Sequence, residues 1–114
     1  MIGGGQLSRM THQASVGLGV GFRVLAQSGS DSAAQVVADS HIGEHDSRAS
    51  VLAAATDVDV VTFDHEHVPL DILEELEARG VAVHPAPTAL QFAQDKAQMR
   101  RRLSEFDVPQ PRWA

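Results

Sequence analysis

Three consecutive glycines, Gly3, Gly4 and Gly5, run directly into an apparent helix that begins Gln6-Leu7-Ser8-Arg9-Met10. Glycine has no Cβ, so such a loop can take positive φ and let a ligand lie against its backbone. The helix behind it offers N–H groups without intrahelical partners and the positive end of its dipole, which suits a phosphate. Read as G-x-G-x-x-G, the run has Ser8 where the third glycine would stand. A dinucleotide site also needs an acid at the end of the second strand, and here that strand ends Ala26-Gln27-Ser28. Three readings stay open on these residues: a plain strand–helix turn, a phosphate- or sugar-bearing ligand, and a nicotinamide cofactor.

A second constellation is Thr62-Phe63-Asp64-His65-Glu66-His67-Val68-Pro69, which leaves the strongest strand pattern and precedes a helix. In an extended chain Asp64 and Glu66 share one face, and His65 and His67 share the other. That division counts against all four holding one metal ion, and a His-x-His pair needs a further ligand from elsewhere. No metal site is expected. Glu66 can accept hydrogen bonds from the amines or hydroxyls of a ligand; the alternative is a solvated loop that caps the next helix. A third feature is Ala93-Gln94-Asp95-Lys96, followed by Arg100-Arg101-Arg102. Lys96 near a helix start opposes the dipole unless an anion or carboxylate sits beside it. The arginine run reads as a solvated helix face.

The elements that must carry these residues alternate in period. Leu7, Met10, Ala14 and Leu18 recur at helical spacing, with Gly17 and Gly19 available to end the helix. Residues 22–26 read as a buried strand, 33–38 as one or two helical turns, and 41–42 as a short strand. Asp46 or Ser47 caps a helix reaching about Ala55, and residues 58–63 form the clearest strand. Pro69 suits the first turn of a helix whose stripe is Ile72, Leu73 and Leu76, closed by Gly80. A strand at 81–83, a helix capped by Thr88, and a last helix burying Met99, Leu103 and Phe106 follow. Strands alternating with helices imply a parallel sheet with helices on both faces, and ligands at the carboxyl ends of its strands. With only Met1 and Ile2 before the glycines, the first strand is expected to be truncated.

Composition narrows the function classes. The 114 residues carry a net charge of −6, with 43% hydrophobic and 21% charged residues, as in an ordinary folded domain. An acidic balance argues against coating nucleic acid. There is no cysteine, hence neither disulfides nor thiolate metal sites. No apolar run approaches the roughly 20 residues of a membrane span, and no signal segment is present, so a cytoplasmic location is the default expectation.

Taken together, the runs 3–10, 33–36, 62–69, 93–96 and 108–112 resemble those of one family, 5-(carboxyamino)imidazole ribonucleotide synthase, an ATP-grasp enzyme of purine biosynthesis. The Thr62–Pro69 run is most similar to actinobacterial members, and the likeness extends over essentially the whole chain. The resemblance implies a Rossmann-like pre-ATP-grasp domain over 1–107 and, at 108–114, the start of a link to an ATP-grasp domain outside this chain. It implies an ATP-dependent ligase that carboxylates 5-aminoimidazole ribonucleotide with bicarbonate, uses ATP with Mg2+ bound mainly by the later domain, and is a homodimer when full-length. By position, Gly5, Gln6, Leu7 and Glu66 are expected to bind substrate and Lys96 to touch ATP. No catalytic residue is expected in this chain, which alone is expected to be inactive. Two alternatives are another ATP-grasp ligase, such as the formate-dependent glycinamide ribonucleotide transformylase, which usually has Glu at the position of Gln6, and a non-catalytic Rossmann-like nucleotide-binding module.

Overall fold

The computed structural model describes residues 1–113. Its elements run α1 (Gln6–Leu18), β1 (Arg23–Ala26), β2 (Asp39–Ile42), α2 (Arg48–Ala54), β3 (Val60–Val61), α3 (Leu70–Ala78), β4 (Ala82–Val83), α4 (Pro87–Gln94) and α5 (Lys96–Glu105). β1 pairs parallel with β2, Arg23 opposite Asp39, and β3 pairs parallel with β4, Val60 opposite Ala82. Residues 1–3 join the two pairs. Ile2 bridges Leu25 on one side and Phe63 on the other, both in parallel sense. Its N–H donates to the Thr62 carbonyl at 2.8 Å, while the Gly3 N–H donates to the Leu25 carbonyl at 2.9 Å. The order across is therefore β2, β1, residues 1–3, β3, β4: the parallel α/β sheet expected from the alternating pattern.

Both faces are covered. On one, Ile2, Leu25, Val61 and Val83 pack with Val51 of α2, Ile72, Leu73 and Leu76 of α3, and Leu90 of α4. On the other, Val24 packs with Ala33, Val37 and the half-buried Phe22, and the Phe22 ring lies 5.4 Å from that of His12 in α1. Local chemistry sets the helix ends. Gly19, at φ 67°, ends α1, and Gly80, at φ 85°, follows α3. The Ser47 hydroxyl accepts from the Ser50 N–H at the start of α2, and the Asp95 carboxylate accepts from the Gln98 N–H at the start of α5.

Several expectations need correction. Residues 33–38 form hydrogen-bonded turns rather than an α-helix, with the Gln35 N–H donating to Asp31 and that of Val37 to Ala33. β3 covers 60–61 only, and Phe63 joins the sheet through a single bridge to Ile2. Thr88 lies inside α4 rather than capping it, since Pro87, with its φ already helical, opens that helix. The apolar stripe of α1 does not face the core: Leu7, Met10 and Leu18 are exposed, and the helix buries Ser8 and Ser15 instead. Small residues let α1 approach the sheet closely, and the Ser8 hydroxyl is satisfied by the Gly3 carbonyl at 2.6 Å. α5 buries no residue; Phe106 is exposed, with the Arg102 guanidinium 4.5 Å from its ring centre. The tail turns back on α5, the Gln110 amide donating to the Arg100 carbonyl at 3.0 Å.

The glycine loop is firmly held, through Gly3 to Leu25, through the Ala33 N–H to the Gly4 carbonyl at 2.8 Å, and through Ser8.

Candidate functional site

The carboxyl ends of the strands meet in a pocket of about 510 Å3. Residues 3–7 supply its floor, Gln27, Asp31 and Ser32 arrive from the loop after β1, Gly43 and His45 from the loop after β2, and Asp64, His65 and His67 from the turn after β3. This convergence follows from parallel topology, which puts every strand-to-helix loop on one side.

Two carboxylates flank the glycine loop. The Asp64 side chain, only 9% exposed, accepts from the Ser8 hydroxyl at 2.9 Å. A Cβ on Gly3, where φ is +113°, would sit 1.8 Å from Asp64 Oδ1. Asp31 folds back to the end of β1, where its Oδ2 accepts from the Gln27 N–H at 3.0 Å and the Ser28 N–H at 3.2 Å. A Cβ on Gly4 would lie 2.6 Å from the Cβ of Ala26 and 2.7 Å from Asp31 Oδ2. The glycines are thus required by two acids of the protein itself as well as by any ligand. α1 begins without a side-chain cap and without an acid in its first turn, so its early N–H groups remain available beside those carboxylates. Donor amides and carboxylates side by side fit a ligand rich in hydroxyls and amines, with any phosphate held toward Gln6 and Leu7.

Three imidazoles form the opposite wall. The rings of His45 and His65 are 4.8 Å apart at an edge-on angle of 73°, and His65 and His67 are 5.5 Å apart. The His67 N–H donates to His65 Nδ1 at 3.2 Å. Burial holds His65 below the ordinary histidine range, Asp64 opposing and the other two histidines reinforcing.

The sequence-predicted residues separate accordingly. Gly5, Gln6 and Leu7 line the pocket, and Gln6 Oε1 is 3.5 Å from the Ser32 hydroxyl. Glu66 is exposed and outside the pocket lining, because residues 64–68 turn rather than extend. The turn brings Asp64, His65 and His67 together, which strict alternation kept apart. Lys96 is exposed at the first position of α5, also outside the lining. Its neighbour Gln94 reaches the site loop instead, its amide donating to the carbonyls of Glu66 at 2.7 Å and Val68 at 2.9 Å. Asp31 and His45 were missed by sequence reasoning. Their signal was position: each follows a strand at its carboxyl end.

Residues 1–94 match the model of the Ribonucleotide synthetase preATP-grasp domain. The chain belongs to that family. It is 54% identical over all 114 residues to the N5-carboxyaminoimidazole ribonucleotide synthase of Mycobacterium tuberculosis, covering 27% of that protein. Among solved structures, the N5-carboxyaminoimidazole ribonucleotide synthetase of Thermus thermophilus superposes with TM-score 0.86 at 35% identity, over 97% of this chain and 31% of the other. The Aspergillus clavatus enzyme, in complex with ADP and 5-aminoimidazole ribonucleotide, gives TM-score 0.87 at 30% identity, over 97% of this chain and 30% of the other. The chain thus spans under a third of the length of these relatives. Among the described residues no helix is long and apolar enough to cross a membrane.

Proposed function

We propose that the pocket at the carboxyl ends of the strands is the ribonucleotide half of a composite ligase site, and that the whole protein carboxylates 5-aminoimidazole ribonucleotide with bicarbonate and ATP. The observation that carries this reading is the meeting of helix-start amides and two carboxylates in one pocket. The amides of Gln6 and Leu7 hold the phosphate side of the ligand. Asp64, oriented by Ser8, accepts from a ribose hydroxyl or the exocyclic amine and so fixes the direction from which the amine reacts. Asp31 shapes the floor, and Gly3 and Gly4 allow the ligand its closest approach. Similarity to relatives named for this reaction supports the assignment, as does the Aspergillus protein's complex with the same ribonucleotide.

ATP supplies the phosphoryl group that activates bicarbonate, and it is held with magnesium mainly outside this chain. Among the described residues no group of three histidines or acids is placed to bind a metal. Lys96, at the first position of α5, is assigned to ATP. The whole protein acts in the cytoplasm as a homodimer.

Calorimetric titration of the chain with 5-aminoimidazole ribonucleotide tests the pocket. Asp64→Asn keeps the shape and removes the charged acceptor, worth about 1.5–3 kcal/mol, so affinity is expected to fall about 10- to 100-fold. Glu66→Ala is expected to change it less than about twofold, its side chain being outside the lining. Absence of any saturable heat, or equal loss from both variants, would overturn the reading.

A further inference from the structure

The pocket at the carboxyl ends of the strands is short of positive charge. Its lining holds two carboxylates, Asp31 and Asp64, and neither lysine nor arginine. A phosphate monoester brings about −1.5 to −2 charges at neutral pH, and helix-start amides set only partial charges against them. Arg9, the basic residue nearest the glycine loop in sequence, is turned to the Ser32 carbonyl at 3.4 Å. The side chains of the lining that can become cationic are therefore three histidines, His45, His65 and His67.

The three do not stand alike. His65 is central, its ring centre 4.8 Å from that of His45 and 5.5 Å from that of His67, while the outer two are 6.3 Å apart. Its Nδ1 accepts the His67 N–H at 3.2 Å, so a proton arriving at that nitrogen would break the hydrogen bond. Its Nε2 lies 3.9 Å from Asp64 Oδ1. Burial weakens its hold on a proton, with Asp64 and Glu66 opposing and the outer histidines reinforcing. His65 is thus the neutral member of the wall. His45 is half-buried and His67 exposed. Of the acids around them, Glu44 accepts from the Gln27 amide, Asp31 from the Gln27 and Ser28 N–H groups, and Asp64 from the Ser8 hydroxyl. Asp46 and Glu66 are exposed.

On the reading of this pocket as a ribonucleotide site, we infer that His45 and His67 form its cationic side, charging as a phosphate-bearing ligand enters and so coupling binding to proton uptake. The phosphate then lies between the Gln6 and Leu7 amides on one side and an imidazolium on the other. Imidazolium groups 6.3 Å apart repel one another, and a dianion beside them offsets that repulsion. An uncharged ribonucleoside gains nothing from the wall, which makes the wall a selector for the phosphorylated form. Histidine, unlike lysine, supplies this charge without leaving a fixed cation beside the reacting amine.

Calorimetric titration of the chain with 5-aminoimidazole ribonucleotide at pH 7, in two buffers of different ionisation enthalpy, counts the protons. Uptake of about 0.3 to 1 proton per ligand is expected, with affinity about 2- to 5-fold weaker at pH 8. The ligand's own second ionisation, at about pH 6, lies below this range. The dephosphorylated ribonucleoside should bind without uptake. The double variant His45→Gln with His67→Gln should bind the ribonucleotide with less than about a third of the wild-type uptake. In the wild-type chain, proton NMR should show the His45 and His67 titration midpoints rising by about half a unit or more on saturation. His12, His41 and His84, outside the lining, should not move. Saturable ribonucleotide binding with no uptake, equal uptake with the ribonucleoside, unchanged uptake in the double variant, or equal shifts in all six histidines would overturn the inference and leave the ribonucleotide pocket standing. Absence of any saturable heat would remove both.

Discussion

The two ends of one short parallel sheet are built from opposite materials. At the carboxyl ends, glycines, two acids, three histidines and helix-start amides converge, and both acids accept hydrogen bonds from the chain itself, Asp64 at 2.9 Å and Asp31 at 3.0 Å. At the amino ends, valines, alanines and leucines dominate the lining of a trench of about 790 Å3, with Arg23 and Asp39 paired at 2.7 Å on its wall. The difference teaches where selection for ligand chemistry and selection for folding act in such a domain. Loops at one end can vary their side chains freely because the strands carry the core; the other end has only packing to contribute.

Substitution at the glycine loop should break this contrast most severely. Gly3→Ala puts a Cβ 1.8 Å from Asp64 Oδ1 at φ +113°, and a loss of about 3 kcal/mol or more is expected from the clash and the backbone strain, read by denaturant unfolding. Ile2→Ala, at the junction of the two ends and 3% exposed, should cost about 2–4 kcal/mol.

The pH dependence separates the ends next. The Met1 amine, lowered from 8.0 to about 6 in the fold, binds fewer protons folded than unfolded across that interval. Stability should therefore rise between pH 6 and 8, by about 2–3 kcal/mol, and acetylating the amino terminus should abolish the rise. At the pocket end His65 is also lowered, chiefly by burial. Its contribution is present above the ordinary histidine range and is lost on acidification below it, so His65→Gln should flatten the acid limb alone. The smallest effect is at the trench rim: Val60→Thr, 47% exposed, should shift stability by no more than about 0.5 kcal/mol.

Much of the architecture was legible because it rests on local rules. Gly19 and Gly80 at positive φ, Ser47 as a cap, and the stripe Ile72, Leu73, Leu76 all express backbone and periodicity constraints that one sequence carries. The apolar period of α1 misled as to its buried face, since the close approach of the helix to the sheet favours Ser8 and Ser15 over larger residues. In the site, the glycine loop with Gln6 and Leu7 could be read directly. That Asp64 rather than Glu66 lines the pocket could not, because it depends on a turn at 64–68 held in part by Gln94 from a distant helix. Asp31 was hidden for a similar reason: its reach back to Gln27 and Ser28 depends on a loop geometry that composition does not announce.

The most direct measurement follows backbone amide resonances of the chain during titration with 5-aminoimidazole ribonucleotide. Saturable shifts concentrated at residues 3–7, 31–32 and 64–67, with Val20 to Arg23 and Val58 to Val61 unmoved, are the predicted result. Shifts centred on the trench, or no saturable shift at the glycine loop, would contradict it.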